Sequence, residues 1–242
     1  MTSKNLVALQ FSFYEDKYEE NLSKLITHIN KAPKGSVIVA PELCLTNFSF
    51  DKMDEAALFG NEALKKLLEL SKDYTIAFTL TKKIDGKFYN NAKILHNTQV
   101  VHSQPKIELF KFGDEDKYFQ AGSEENIKII EIDGLKYAIL ICFEIRFIKL
   151  WQLIQGADII LIPALWGKLR KEHFESITKS MAIINQAFVI ASDSSNSDMA
   201  SSSAIITPFG KEYRDDASEF ISHKAEIKEI KKMRRYMDIG LK

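Results

Sequence analysis

Three side chains of the 242-residue chain could do chemistry together: a cysteine, a glutamate and a lysine. Cys142 ends the apolar run 135–141, and Phe143-Glu144-Ile145-Arg146 then opens a helix. A cysteine at a strand-to-helix turn faces the positive end of the helix dipole. Its thiolate is favoured there, and the following backbone N–H groups can point at an oxyanion. Cys142 also reads as one more small buried residue of a core strand, the common fate of a free cysteine. Glu42 follows Val37-Ile38-Val39-Ala40-Pro41. A carboxylate directly after a buried strand sits at the rim of a sheet, where α/β sites lie, and partial burial would suit it to general-base work. Taken alone it is better read as a solvated loop acid or a helix-cap partner. Lys106, in Ser103-Gln104-Pro105-Lys106-Ile107-Glu108, could stabilise a thiolate and an oxyanion beside it. Taken alone it reads as a surface lysine.

The elements that must position these groups alternate between two periods. Residues 6–13 and 36–40 read as strands, the second buried and stopped by Pro41. Leu22, Leu25, Ile26 and Ile29 follow the helical spacing, which predicts a helix over 17–31, and a second helix is predicted over 52–71. Strands follow at 75–80, 88–95 and 98–102, with Asp85-Gly86 as a hairpin turn. Residues 103–126 read as irregular. Strands at 127–132 and 135–142 flank a second hairpin signal, Asp133-Gly134. A helix over 147–154, a strand over 157–162, a helix over 174–184, and strands over 187–192 and 204–207 complete the pattern, with a charged helical tail after Lys224. No repeat and no low-complexity linker divides the chain, so residues 1–242 read as one α/β domain. The hairpins point to mixed sheets rather than an all-parallel sheet.

Composition narrows the classes. Lys plus Arg and Asp plus Glu each total 33, so the formal net charge is zero. That gives no broad attraction to nucleic acid or anionic lipid. No apolar run approaches the roughly 20 residues that span a bilayer. There is no signal-peptide pattern, and two cysteines, Cys44 and Cys142, allow one disulfide but no stapled scaffold, so the expected setting is cytoplasmic. Phosphate-cradling glycine loops, C-x-x-C and H-E-x-x-H are missing, and the five histidines are scattered, so neither a metal nor an organic cofactor is expected.

Taken in order, the three weak signals make one specific pattern. Val37-Ile38-Val39-Ala40-Pro41-Glu42-Leu43, Lys106-Ile107-Glu108-Leu109-Phe110 and Leu140-Ile141-Cys142-Phe143-Glu144-Ile145-Arg146-Phe147 together resemble the glutamate, lysine and cysteine motifs of the carbon–nitrogen hydrolase (nitrilase) superfamily. Val7-Ala8-Leu9-Gln10, the stretch from Glu115 through Tyr118-Phe119 to Gly122, Pro163-Ala164-Leu165-Trp166, Asn185-Gln186-Ala187 and the stretch from Ser203 to Gly210 extend the likeness over nearly the whole chain. The resemblance implies an α-β-β-α sandwich with mixed sheets. It implies Cys142 as nucleophile, Glu42 as general base and Lys106 as oxyanion stabiliser, and it makes Glu115 a second glutamate that holds Lys106. Phe143 would supply a backbone N–H to the oxyanion, and Trp166 reads equally as a pocket wall or a core aromatic. Glu144 and Arg146 would pair across the first helical turn, or Arg146 would meet a substrate carboxylate. Members commonly form homodimers.

The reaction implied is hydrolysis of a small linear amide or N-carbamoyl compound through a Cys thioester, with release of ammonia; nitrile hydrolysis ranks lower. Departures stand beside the match. Phe147-Ile148-Lys149 replaces Phe-Pro-Glu, Gln104-Pro105 precedes the lysine, and Met181 and Ile184 replace a charged pair. They motivate a competing reading, a catalytically silent binding or scaffolding member of the same fold. A thiol redox pair of Cys44 and Cys142 is the third reading; Cys44 is expected to be structural.

Overall fold

The computed structural model describes residues 3–241. Its strands are β1 (Ser3–Leu9), β2 (Val37–Val39), β3 (Thr75–Ile84), β4 (Lys87–His96), β5 (Gln99–Pro105), β6 (Ile130–Ile132), β7 (Leu135–Ile139), β8 (Ile159–Pro163), β9 (Phe188–Ser192), β10 (Ala204–Ile206), β11 (Glu212–Arg214) and β12 (Phe220–Glu226). The helices are α1 (Tyr18–Lys31), α2 (Met53–Leu70), α3 (Glu115–Tyr118), α4 (Ile148–Leu153), α5 (Lys171–Ile184) and α6 (Lys228–Tyr236).

The strands form two six-stranded sheets, ordered β12-β1-β2-β3-β4-β5 and β11-β10-β9-β8-β7-β6. Each has a parallel centre, β1-β2-β3 and β7-β8-β9, flanked by antiparallel strands. The parallel strands β2, β8 and β9 are buried along their whole length, which is why they read as unbroken apolar runs.

Alternation along β1 sorts the layers. Leu6 and Ala8 enter the core between the sheets with Val37, Val39, Tyr137, Ile139 and Ile159. Val7 and Leu9 face outward, under Leu22, Leu25 and Ile29 of α1 and Ala63 and Leu67 of α2. On the far side, Leu150 of α4 and Phe174, Met181 and Ala182 of α5 cover the second sheet. The result is the expected α-β-β-α sandwich with mixed sheets. The predicted helices of α1, α2, α4 and α5 fall within a few residues of their observed spans.

Three expectations need correction. The tail after Lys224 is not helical from its start: β12 runs to Glu226, and α6 begins at Lys228. β12 carries no strand signal of its own, because only Ile221 and Ala225 are buried in it; pairing with β1 across more than 200 residues of chain makes it a strand. β11 escaped for the same reason, being three half-buried residues held by β10. Cys142 does not open a long helix. It begins a tight 3-10 turn, Cys142–Arg146, separated from α4 by Phe147.

Candidate active site

Glu42, Lys106 and Cys142 lie just beyond the C-terminal ends of β2, β5 and β7, and Glu115 opens α3. The turn after β2 reaches across to the second sheet, while those after β5 and β7 are held by neighbouring strands of their own sheets. The Glu42 N–H donates to the Ala164 carbonyl at 3.0 Å, and the Cys142 thiol donates to the Leu165 carbonyl at 3.8 Å. Both acceptors lie immediately after β8. The Lys106 N–H donates to the Asn90 carbonyl on β4 at 2.8 Å.

The side chains converge in one water-poor centre. Lys106 is 0% exposed and Glu42 1%. The Lys106 ammonium donates to Glu42 Oε1 and to Glu115 Oε1, each at 2.7 Å. Glu115 Oε2 accepts the Phe110 N–H at 3.2 Å. Asn90 Nδ2 donates to Glu42 Oε1 at 2.7 Å, while Glu42 Oε2 has no hydrogen-bond partner among the described residues. Such an orphaned buried oxygen is costly unless something comes to meet it.

Electrostatics follow from burial and charge. Burial alone would lower the Lys106 pKa, but the carboxylates of Glu42 and Glu115 outweigh it and push the pKa above the ordinary range. Lys106 is therefore a permanent cation. Burial raises the Glu115 pKa, with Lys106 opposing and Glu42 adding to the rise. Burial also raises the Cys142 pKa, the charge of Glu42 adds to it, and Lys106 pulls the other way. The resting group is a thiol. The helix-dipole argument for a thiolate fails because the five-residue turn after Cys142 has little dipole to offer.

The backbone is strained at three places that carry these groups. Cys142 itself sits at φ 46°, Leu43 beside Glu42 at φ 47°, and Asp114 beside Glu115 at φ 58°. Each left-handed non-glycine residue costs roughly 1–3 kcal/mol and persists only where its surroundings overdetermine it. Leu43 shows how: its N–H donates to Thr79 Oγ1 at 2.6 Å, and its side chain is fully buried.

A small cleft of about 20 Å³ reaches Cys142. Phe110, Phe143, Leu165 and Trp166 line it with Arg146 and Arg170. Arg146 stacks 4.9 Å from the Trp166 ring centre and Arg170 5.3 Å from that of Phe110. Burial lowers the Arg146 pKa, and so does the charge of Arg170. Two cations thus face an apolar cleft that holds no carboxylate. The expected Glu144–Arg146 pair is absent: Glu144 turns inward onto backbone N–H groups, and Arg146 Nη2 contacts His173 Nδ1 at 3.0 Å. Trp166 serves core and cleft together, its backbone N–H donating to buried Asp193 at 2.8 Å. Cys44 is buried, its thiol pKa raised by burial, and both cysteines are free.

Sequence reasoning missed Asn90, Arg170 and Asp193. Asn90 carried a readable signal, since consecutive asparagines in a predicted strand are unfavourable unless their amides are used. Arg170 and Asp193 carried none.

A four-layer sandwich with an acid–lysine–acid cluster and a thiol at its strand ends belongs to the class of hydrolase scaffolds that work from one end of paired sheets. Residues 7–218 match the carbon–nitrogen hydrolase family model, and the chain belongs to that family. It is an enzyme of carbon–nitrogen bond hydrolysis. It is 33% identical over 232 residues to 2-oxoglutaramate amidase of Bacillus subtilis (strain 168), covering 90% of this chain and 88% of that protein. It is 26% identical over 186 residues to deaminated glutathione amidase of Escherichia coli O157:H7, covering 72% and 71%. Its fold matches XC1258 from Xanthomonas campestris, a CN-hydrolase superfamily protein, with a TM-score of 0.85 at 17% identity, over 98% of this chain and 96% of that one.

Proposed function

We propose that the protein, as one hydrolase unit over residues 1–242, cleaves the terminal amide of a small carboxylate-bearing compound through a Cys142 thioester. The observation that carries this reading is the Lys106 ammonium clamped between Glu42 and Glu115, with Glu42 Oε2 left unpartnered among the described residues, in the same buried centre as Cys142. The Cys142 sulfur attacks the amide carbon while Glu42 takes its proton. The carbonyl oxygen becomes an oxyanion, met by the third N–H of Lys106 and by the backbone N–H of Phe143. Glu42 returns the proton to nitrogen, ammonia leaves, and the acyl group remains on sulfur. Water then gives a proton to Glu42 and attacks the thioester, releasing the acid and restoring the thiol. Glu115 and Asn90 hold Lys106 and Glu42 through the ammonium and the Oε1 atom.

Substrate class follows from the cleft. Its lining decides and not its size, since the cleft measures only about 20 Å³, far below an ordinary ligand pocket. Arg146 and Arg170 over aromatic walls suit a carboxylate at the end away from the amide. The 2-oxoglutaramate amidase relative supports this choice over a neutral amide, an N-carbamoyl compound or a nitrile. The test is ammonia release over 2-oxoglutaramate, glutaramate, neutral amides, ureido acids and nitriles. Activity is expected with the carboxylated amides and none with Cys142→Ala. Arg146→Gln should raise KM for a carboxylated amide at least tenfold and leave a neutral one unaffected. Full activity in Cys142→Ala would overturn the reading, and release from nitriles alone would overturn the substrate class. Free Cys44 and Cys142 support a cytoplasmic setting, and the exposed Ile148, Ile183 and Ile184 support a homodimer, which light scattering checks.

A further inference from the structure

Glu144 is fully buried, yet no cationic side chain pairs with it among the described residues. Its Oε1 accepts the Ile107 N–H and its Oε2 the Ile141 N–H, each at 2.6 Å. Ile107 follows Lys106, and Ile141 precedes Cys142. Both lie beyond their strands, since β5 ends at Pro105 and β7 at Ile139. The Glu144 N–H also donates to the Ile141 carbonyl at 3.0 Å, so Ile141 is held from both sides. One carboxylate thereby ties the loop of the first sheet that carries the amine to the turn of the second that carries the sulfur.

We propose that Glu144 is a positioning residue that sets the spacing of the Lys106 ammonium and the Cys142 sulfur without touching substrate. The strain at Cys142 makes such a brace necessary, because a left-handed cysteine relaxes when its neighbours allow it. Two short bonds to one carboxyl group brace both backbone segments at once. Their loss lets the two loops drift independently, and displacements near 1 Å typically cost on the order of 100-fold in rate. Glu144 itself does not line the arginine-lined cleft, so the loss falls mainly on kcat. This inference rests on the reading of Cys142 as the nucleophile.

The experiment compares wild type, Glu144→Gln, Glu144→Asp and Cys142→Ala as full chains with 2-oxoglutaramate as the probe. Glu144→Gln can accept only one of the two N–H groups well, and Glu144→Asp keeps the charge on a shorter arm. The expected result is a kcat at least tenfold lower in Glu144→Gln, KM within about twofold, and partial recovery in Glu144→Asp. If Glu144→Gln does not fold, Glu144→Asp alone carries the comparison. Amide hydrogen exchange gives a reading that needs no substrate: the Ile107 N–H should be protected in wild type and lose that protection in the variant. A wild-type Ile107 N–H that exchanges freely, or an unchanged kcat in a folded variant, overturns the brace. Activity that survives Cys142→Ala overturns the nucleophile instead, so the two failures are distinct.

Discussion

Lys106 stands between two carboxylates at 2.7 Å, with Asn90 as a second donor to Glu42. The arrangement leaves Glu42 with one oxygen saturated and the other without a hydrogen-bond partner among the described residues, which suits the proposed division between holding the lysine and taking a proton. Replacing Glu42 by Gln keeps the shape and removes the base, so kcat should fall about 10²–10⁴-fold while the protein stays folded. Steady-state ammonia release and a thermal melt measure the two halves of that statement. A loss of less than tenfold would sink Glu42 as the base. At this scale Cys142, Glu42 and Lys106 were legible as candidates, because each sits in a short motif just after a strand. Glu115 was legible through the family likeness only. Asn90 left only a hint in its polar strand, and the role of Glu144 was not legible, because its value lies in the backbone groups it meets across the two sheets. The thiolate inference failed because it used a helix that the chain does not build.

At the scale of elements, function depends on the turns that end β2, β5 and β7. Gly122 packs against the turn after β5: its N–H donates to the Lys106 carbonyl at 2.9 Å. A β-carbon there would lie 2.8 Å from the Pro105 carbonyl oxygen and 2.7 Å from Pro105 Cγ. Both are below any real contact, and the oxygen belongs to backbone that cannot yield easily. Gly122→Ala should therefore destabilise by about 1–3 kcal/mol through overpacking, and should lower kcat by shifting Lys106. Denaturant melts and steady-state kinetics check the pair of effects; a variant with wild-type stability would show that the turn is softer than its contacts indicate. Periodicity revealed the amphipathic helices because their apolar stripes depend on local spacing alone. It missed β11 and β12 because a short, half-exposed edge strand is defined by its partner.

At the scale of the whole molecule, the interior carries acids that it would rather keep neutral. Burial pushes the Asp193 carboxyl up to about 8, against the backbone N–H groups of Trp166, Ser194 and Ser201 that favour the anion. Burial likewise pushes Glu144 up to about 7. Both folded pKa values lie above the unfolded ones, so the folded state binds more protons through the intervening range. The stability each contributes is fully present below its unfolded pKa, near 4, and is lost as pH rises towards 8. Asp193→Asn removes one of these groups. The stability difference between wild type and that variant should shift by on the order of 2 kcal/mol between pH 4.5 and 8, with the wild type losing ground as pH rises. Denaturant melts across that range measure it, and parallel curves would show that Asp193 does not titrate there.

The sequence by itself determined the main helices and strands, since alternation and helical spacing need only neighbouring residues, and it determined the order of the reactive motifs; the layers came from the family likeness. Tertiary structure decided the chemistry of those motifs. Whether a buried acid is base, brace or counterion depends on desolvation and on partners contributed by distant segments. Both act through distances of a few ångströms that no spacing along the chain encodes.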